Sequence, residues 1–367
     1  MREFYCGARL RTQWFCCSAL WFALSGIAQG EVIPVRDAAD LKVVLSKLTN
    51  GVTLRLAPGE YPGGYAVKDV ANLTVEAADS DQPPHFKGGS YAWHFSGCSG
   101  LKLSHLKISG QSHNGVNLDD GGRADRPTKN IALDHLAVSD IGPKGNFDGL
   151  KCSGLEDVTI RYCSVEGWGG QAIDLVGCHR VTVSECRFTG KPTHSQDSGV
   201  QCKGGSEDVT IEKCHFVNAG QRPINAGGST GLPYFRPLGA KYEARRINIR
   251  QNKISGSLCA CAFVGVDGAE FTGNTILFPE KWVFRILQET TNDGFVPSRD
   301  VLIEDNAIVF RRSQVGIEVN VGTKTAPETF RFAKNRWFAE DRPDRSRPQL
   351  PTEETDGVYG RDPRTTE

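Results

Sequence analysis

The sequence predicts an all-β protein, a single-domain right-handed parallel β-helix with an N-terminal capping α-helix. First, one short phrase recurs ten times along the 367 residues, at spacings of roughly 22–38 residues, and such self-similarity indicates a solenoid. Second, each copy alternates apolar and polar residues with the period of a strand. Third, the chain contains 41 glycines and a single methionine, as expected for a strand-built core with many tight turns.

The recurring phrase consists of a short strand, a two-residue polar corner and a second short strand. Its copies are NLTVEAAD from Asn72, GLKLSHLKISG from Gly100, NIALDHLAVSD from Asn130, DVTIRYCSVEG from Asp157, RVTVSECRFTG from Arg180, DVTIEKCHFVN from Asp208, RINIRQNKISG from Arg246, GAEFTGNTILF from Gly268, DVLIEDNAIVF from Asp300 and TFRFAKNRWFA from Thr329. Successive coils of a β-helix lie about 4.8 Å apart, so equivalent positions of these copies are expected to stack.

The position after each polar corner is the most regular one. It holds leucine, cysteine or asparagine: Leu106, Leu136, Cys163, Cys186, Cys214, Asn252, Asn274, Asn306 and Asn335. A cysteine there can fill a small inward space, and an asparagine can bond the backbone and the asparagine above it. We interpret this column as a structural ladder.

The same interpretation predicts the state and the role of the cysteines. Of the 12 cysteines, Cys6, Cys16 and Cys17 lie in the N-terminal leader. There is no CxxC pair, and Cys259 and Cys261 are too close together for a zinc knuckle. Stacked cysteines with parallel Cβ directions suit packing better than disulfide geometry. The sequence therefore predicts mostly free, buried thiols and no metal bound by sulfur.

Residues 1–30 have the features of a secretory signal peptide. Three arginines among the first eleven residues precede the apolar run WFCCSALWFALSGIA, and the small residues at 28–30 offer a cleavage site. The run is short and interrupted for a membrane span, so an uncleaved anchor is the less favoured alternative. We expect a mature chain from Glu31 that is secreted or periplasmic, without stable membrane insertion.

Residues 31–340 are predicted to form the β-helix. Apolar residues at helical spacing indicate a short helix that covers the open end of the first coil: Leu41, Val44, Leu45 and Leu48. Asp37 or Asp40 can cap this helix. Residues 341–367 are rich in proline and charge, so we expect a loosely attached tail. We also expect a monomer.

The charge balance limits the partners. The formal net charge is zero and the sequence pI is about 7.1, so there is no basic excess to bind nucleic acid. No organic cofactor is expected either, because the glycine-rich run at Gly227 is not followed by a helix that could bind phosphate.

The opening of the mature chain resembles that of the β-helical polysaccharide lyases. After the cap helix come TLRLAPGEYPGG, NLTVEAAD, HFKGG and GLKLSHLKISG, ending at Gly110. This layout is similar to the chondroitinase B and alginate lyase family and, more loosely, to the pectate lyases of the same superfamily. The resemblance implies an acidic, uronate-containing polysaccharide as partner and cleavage by β-elimination.

The third strand of each coil can be aligned by its inward apolar pairs. Because strand residues alternate in direction, the residues between those pairs form an outward column: His94, Asn117, Lys151, Asp174, Gln201 and Asn225. The next column along the strand reads Ser96, Asp119, Ser153, Val176, Lys203 and Gly227. The first positions of the strands add Asn114, Asp148, Gln171, Ser198 and Arg222.

These columns supply the candidate site residues. The resemblance implies that Lys203 is the base and Arg222, on the next coil, the acid, although Pro223 stands where the family has histidine. Lys151 is the third candidate catalytic residue, and Asp148 and Asp174 can hold Ca²⁺. The candidate substrate-binding residues are Gln201, Asn225, Tyr234, Arg236 and Arg285; Tyr234 and Arg236 lie in a long insertion between two strands.

Several alternatives remain open. Asp119 and Asp120 are compatible with a glycoside hydrolase, which needs two spaced carboxylates. A uronate C5-epimerase would abstract the same proton with nearly the same residues. The chain is also compatible with a non-catalytic carbohydrate-binding surface solenoid, on which Lys151 and Asp174 form an ordinary cross-strand ion pair of at most about 1 kcal/mol.

Overall fold

The computed structural model describes Met1 and residues 30–365. Nearly all of the predicted signal peptide lies outside these residues. Glu31–Glu367 form one compact unit. In the part of the chain that is described, no helix is long and apolar enough to cross a membrane.

Three parallel sheets run the length of the unit, and the chain visits them in turn. The first sheet contains Val32–Val35, Thr53–Leu56, Thr74–Ala77, Lys102–Ser104, Thr128–Asp134, Leu155–Arg161, His179–Ser184, Ser206–Glu212, Ala244–Arg250, Val266–Thr272, Arg299–Glu304, Arg331–Ala333 and Glu354–Thr355. The second sheet contains Glu60–Pro62, His85–Lys87, Lys107–Ser109, Ala137–Ser139, Ser164–Glu166, Arg187–Thr189, His215–Val217, Lys253–Ser255, Thr275–Leu277, Ala307–Phe310, Arg336–Ala339 and Val358–Tyr359. The third contains Tyr65–Lys68, Trp93–Ser96, Val116–Asp119, Leu150–Ser153, Gln171–Val176, Ser198–Lys203, Arg222–Gly227, Cys261–Val264, Phe284–Leu287 and Val319–Val321. The predicted parallel β-helix is therefore confirmed.

The polar corner between the first and second sheets is a left-handed turn. Its second residue has a positive φ in successive coils, for example 51° at His135, 55° at Tyr162 and 54° at Glu185. One residue in this conformation turns the chain sharply. Glycine is the residue that tolerates this conformation best, and Gly273 takes the same place with φ 63°.

The next residue points inward and forms the predicted ladder. Asn274 Oδ1 accepts hydrogen bonds from the backbone N–H (2.9 Å) and the Nδ2 (3.0 Å) of Asn252, and Asn274 Nδ2 donates to Asn306 Oδ1 at 3.1 Å. Asn335 continues the series from Asn306. The amides thus satisfy one another and the backbone inside the core.

The cysteines between residues 98 and 261 are free and buried, as predicted. Cys163, Cys186 and Cys214 continue the asparagine ladder toward the N-terminal coils, where their side chains fill the same inward position. In the part of the chain that the structure covers, no group of three or more histidine, cysteine or acidic residues could bind a metal.

A helix covers the N-terminal end of the solenoid. The predicted cap helix is Ala38–Leu45; Asp37 is its N-cap, accepting from the N–H groups of Ala39 and Asp40, and Leu41 is fully buried. Within residues 30–365 there are also three short 3₁₀ helices: Leu232–Tyr234, Pro327–Thr329 and Pro343–Arg345.

The prediction of a loosely attached tail after residue 340 is wrong. The tail adds one short strand to the first sheet and one to the second. Glu354 accepts hydrogen bonds from Asn335 Nδ2 at 2.7 Å and Trp337 Nε1 at 3.0 Å. The Glu354 side chain therefore ends the amide ladder. It also attaches the tail to the last coil, although the tail contains few apolar residues.

Candidate functional site

The third sheet has the register that the sequence predicts. Lys151 lies opposite Asp174, and Asp174 opposite Gln201, in neighbouring strands. In the adjacent outward column, Lys203 lies opposite Val176. One face of this sheet therefore presents two lysines and a carboxylate from three consecutive coils, as expected from the alternation of strand residues.

A cleft of about 510 Å³ lies on this face. Its lining includes five of the predicted site residues: Lys151, Asp174, Lys203, Tyr234 and Arg236. The strands supply the floor, and the loop from Gly228 to Glu243 supplies one wall.

Lys151 is held between two buried carboxylates. Its Nζ lies 2.9 Å from Asp148 Oδ2 and 2.6 Å from Asp174 Oδ2, and neither aspartate side chain is exposed. Burial lowers the pKa of Lys151, but the attraction of the two carboxylates outweighs it, so the net pKa of Lys151 is raised. Burial, together with repulsion from Asp174, raises the pKa of Asp148. Lys151 is therefore a fixed cation at the cleft floor.

Lys203 shares Asp174 with Lys151. Its Nζ lies 3.4 Å from Asp174 Oδ1 and donates to Gln201 Oε1 at 3.2 Å. Asp174 Oδ1 is buried and has no hydrogen-bond partner among the described residues, so its contact with Lys203 is an ion pair without hydrogen-bond geometry. Lys203 is thus less tightly held than Lys151.

The other two carboxylates that line the cleft also contact basic side chains. Asp119 Oδ2 lies 2.6 Å from His94 Nε2, and Asp120 Oδ2 accepts from Arg236 Nε at 2.7 Å. Burial disfavours ionised Asp119, but hydrogen bonds from His94, Ser96 and a backbone N–H lower its pKa. The hydrogen bond to Asp119 raises the pKa of His94. Each acidic group that lines the cleft therefore has a basic partner.

The cleft wall is fixed by a buried glutamate that the sequence pattern did not reveal. Glu243 is fully buried and accepts from the N–H of Gly204, next to Lys203, at 2.8 Å. It also accepts from the N–H of Thr230 at 3.0 Å and from the Thr290 hydroxyl. One carboxylate thus connects the end of the Lys203 strand with two loops. The only signal in the sequence is that Glu243 is the single acidic residue of this long insertion.

The loop from Gly228 to Glu243 is also fastened to the loop at 288–297. The rings of Phe235 and Phe295 meet edge to face with centroids 5.4 Å apart. Lys241 Nζ donates to the carbonyl of Asp293, and Val296 N–H donates to the carbonyl of Lys241. Tyr234 lies at the tip of this wall and is 67% exposed, so its hydroxyl is available to a ligand.

The structure does not bring Lys203 and Arg222 together. Arg222 lies opposite Ser198, at the first position of its strand, whereas Lys203 ends its own strand. Five residues of strand separate these positions, about 16 Å at ~3.3 Å per residue. Arg222 instead pairs with Glu289 at 3.0 Å. The predicted base and acid are on adjacent coils but at opposite ends of them.

Two predicted substrate-binding residues are buried. Gln201 and Asn225 are 4% and 1% exposed, although both lie in the outward column. Gln201 Nε2 donates to the carbonyl of Gly227 at 3.1 Å. Gln201 therefore supports the start of the loop beside the cleft, and neither amide is exposed to a polymer. Arg285 lies in the same column, three strands beyond Gln201, and does not line the cleft.

The predicted Ca²⁺ ligands fit an ammonium better than a metal ion. Calcium needs six to eight oxygen ligands, whereas Asp148 Oδ2 and Asp174 Oδ2 both contact the Nζ of Lys151. Asp148 Oδ1 is taken by the N–H of Gln171. Lys151 thus supplies the positive charge that these carboxylates require.

The fold and site define a right-handed β-helix with a polar cleft on its third sheet. The chain belongs to the right-handed beta helix region family, which matches residues 91–276, half of its length. Comparison with curated proteins gives no match.

Several solved structures have a similar fold at low sequence identity. An alginate lyase from Paenibacillus sp. str. FPU-7 is 19% identical, with a TM-score of 0.54 over 81% of this chain and 99% of the other. The A-module of a mannuronan C-5 epimerase from Azotobacter vinelandii is 14% identical, with a TM-score of 0.57 over 88% and 93%. An endo-xylogalacturonan hydrolase from Aspergillus tubingensis is 12% identical, with a TM-score of 0.52 over 89% and 100%. At these identities the similarity establishes the fold alone.

Proposed function

We propose that this protein is an extracytoplasmic polysaccharide lyase that cleaves a uronate-containing polymer by β-elimination. The observation that supports this most strongly is the position of Lys203 in the cleft, where it shares Asp174 with a fixed cation, Lys151, and where the exposed Tyr234 also lines the cleft. The predicted leader supports a location outside the cytoplasm.

Each step of the elimination has a candidate residue. Lys151, kept charged by its two carboxylates, donates to the C6 carboxylate of the sugar and makes the C5 proton more acidic. Lys203 acts as the base: after its ammonium has lost one proton to solvent, its Nζ takes the C5 proton. The C5–H electron pair forms the C4=C5 double bond as the C4–O4 bond breaks. Tyr234 gives its proton to the departing O4, and a proton passed from Lys203 to Tyr234 restores both groups.

Tyr234 takes the role that the resemblance had implied for Arg222. The leaving oxygen must be protonated near the base, and Tyr234 lines the same cleft as Lys203 whereas Arg222 does not. The guanidinium of Arg236 is engaged by Asp120, which leaves the tyrosine hydroxyl as the donor with free access.

The arrangement of carboxylates favours elimination over hydrolysis. An inverting or retaining glycosidase needs one carboxylic acid that is protonated. In this cleft Asp119, Asp120 and Asp174 each contact a basic side chain at 2.6–2.7 Å. A basic partner favours the carboxylate over the carboxylic acid, which suits these three residues less well to the role of general acid.

Product analysis tests the proposal. The mature chain, from residue 31, is incubated with alginate, pectate and glycosaminoglycans, and ultraviolet absorbance of unsaturated ends is followed. We expect absorbance to rise with at least one polymer. Reducing ends without absorbance would identify a hydrolase, and an altered uronate ratio by NMR without shortening would identify an epimerase. Binding without any product would identify a recognition module. Each of these three outcomes contradicts the proposal.

A further inference from the structure

A second cluster of cations lies outside the cleft, on the later coils of the third sheet. The guanidinium of Arg285 lies 4.5 Å from the ring centroid of Trp282, and Lys281 Nζ lies 4.4 Å from the same ring. Arg222 projects from a strand two coils before that of Arg285. An indole and three cationic side chains therefore share one small area of the surface.

Arg285 lacks a balancing negative charge. Its Nε donates to the neutral Asn320 Oδ1 at 3.0 Å, and within residues 30–365 no carboxylate lies within ion-pair distance of it. The nearby acidic group, Glu289, bonds Arg222 instead. Burial, and then repulsion from Arg222, lowers the pKa of Arg285. Two guanidinium groups that repel each other would both be stabilised by an added anion.

Trp282 differs from the other tryptophans of the described chain. Trp93, Trp168 and Trp337 are fully buried, whereas Trp282 is partly exposed. An exposed indole beside guanidinium groups is suited to a ligand with one flat apolar face and one anionic group. A sugar ring with a carboxylate or sulfate has this combination.

We propose that Trp282, Arg285 and Arg222 form a second binding site, which takes an anionic sugar residue of an acidic polysaccharide. The ring of the sugar packs on Trp282 in place of the exposed Lys281 ammonium, and its carboxylate or sulfate binds the two guanidinium groups. The choice of a polysaccharide rests on the proposed function. The strand of Arg285 lies three coils beyond that of Lys203, about 14 Å along the axis, and the buried Asn225 and Ala262 lie in the column before it. The site is therefore distinct from the cleft.

Tryptophan fluorescence tests this site without turnover. In the Lys203→Ala chain from residue 31, short oligomers of alginate or pectate are expected to change the emission of Trp282, with a weaker effect at high salt. Trp282→Phe should abolish that change. By calorimetry, Arg285→Ala should weaken binding at least tenfold, and Arg285→Lys less, since lysine keeps the charge but loses the planar fork.

Two controls define the outcome. Arg331→Ala, an exposed arginine of the first sheet, should bind like the parent, and an uncharged oligosaccharide of equal length should give no signal. Unchanged affinity in folded Arg285→Ala and Arg285→Lys, or equal binding of the neutral oligosaccharide, would overturn the proposal. A binding signal from a protein that never produces unsaturated ends refutes the lyase but keeps this site. Lyase activity with unchanged affinity in both arginine variants refutes this site alone.

Discussion

The Nζ of Lys151 lies 2.6 Å from Oδ2 of Asp174, directly across the boundary between two coils. Asp174 is fully buried and also lies 3.4 Å from Lys203. The Asp174 carboxylate therefore positions both lysines of the cleft. Its negative charge is balanced only while both lysines stay in contact with it.

Removing Lys151 is expected to destabilise the fold. Lys151→Met leaves Asp148 and Asp174 buried without their counter-charge, which costs about 3 kcal/mol. The double variant Lys151→Met/Asp174→Asn should recover part of this loss. Urea unfolding of the mature chain measures both, with the exposed Lys253→Met as control. A Lys151→Met chain as stable as the wild type would show that the two carboxylates do not need the ammonium.

Chelation shows whether Lys151 or a metal ion supplies the positive charge beside Asp148 and Asp174. Because the ammonium contacts both aspartates, we expect EDTA to leave the unfolding temperature of the wild type unchanged. In Lys151→Ala the two carboxylates are free for a hard cation, so added Ca²⁺ should raise the unfolding temperature of that variant. A drop in the wild-type unfolding temperature on chelation would instead place a metal ion in the native protein.

The pair of His94 and Asp119 predicts a pH-dependent contribution to stability. The pKa of His94 is raised, so its contribution to the free energy of unfolding is complete below about pH 6.5. That contribution is lost as the pH rises through the folded pKa of His94. The pKa of Asp119 is lowered, so its contribution to the free energy of unfolding is present above about pH 3.9. That contribution is lost as the pH falls through the folded pKa of Asp119.

Unfolding free energies of wild type and His94→Gln should therefore differ most between about pH 4 and pH 6.5. The difference is at most about 1 kcal/mol, because both side chains are partly exposed. Denaturant titrations at pH 5 and pH 8 measure it, and His215→Gln, an exposed histidine of the second sheet, is the control. A difference that is equal or larger at pH 8 would show that the charge of His94 is not involved.

Tyr234 is expected to matter for turnover and not for folding. Tyr234→Phe removes the proposed donor to the leaving oxygen, so kcat should fall by about 10²–10⁴-fold. The side chain is 67% exposed, so the unfolding temperature should stay the same. Tyr162→Phe, another exposed tyrosine far from the third sheet, should leave kcat unchanged. Full activity of Tyr234→Phe would remove the tyrosine from the mechanism.

The period of the strands explains which part of the site could be predicted. The alternation of residues along a strand fixes which side chains point outward, and the repeat fixes which coils are neighbours. Lys151, Asp174 and Lys203 were therefore correctly placed on one face. The same reasoning predicted the asparagine ladder, because Asn252 and Asn274 occupy equivalent places in consecutive copies.

The remaining features depend on information that a repeat does not contain. Arg222 was paired with Lys203 because their coils are adjacent, but position along the strand separates them. Gln201 and Asn225 point outward and are nevertheless buried, because the path of a loop is not periodic. Glu243 and Glu354 each accept hydrogen bonds from several groups in other parts of the chain, and no spacing of residues reveals these contacts.

The proton abstraction by Lys203 is tested most directly by the initial rate at which unsaturated ends form, followed by ultraviolet absorbance, on the polymer that the wild type cleaves. Lys203→Ala should lose this activity by at least about a thousandfold while its unfolding temperature stays close to that of the wild type, and Lys253→Ala should remain fully active. Full eliminative activity in a folded Lys203→Ala protein would contradict the proposed mechanism.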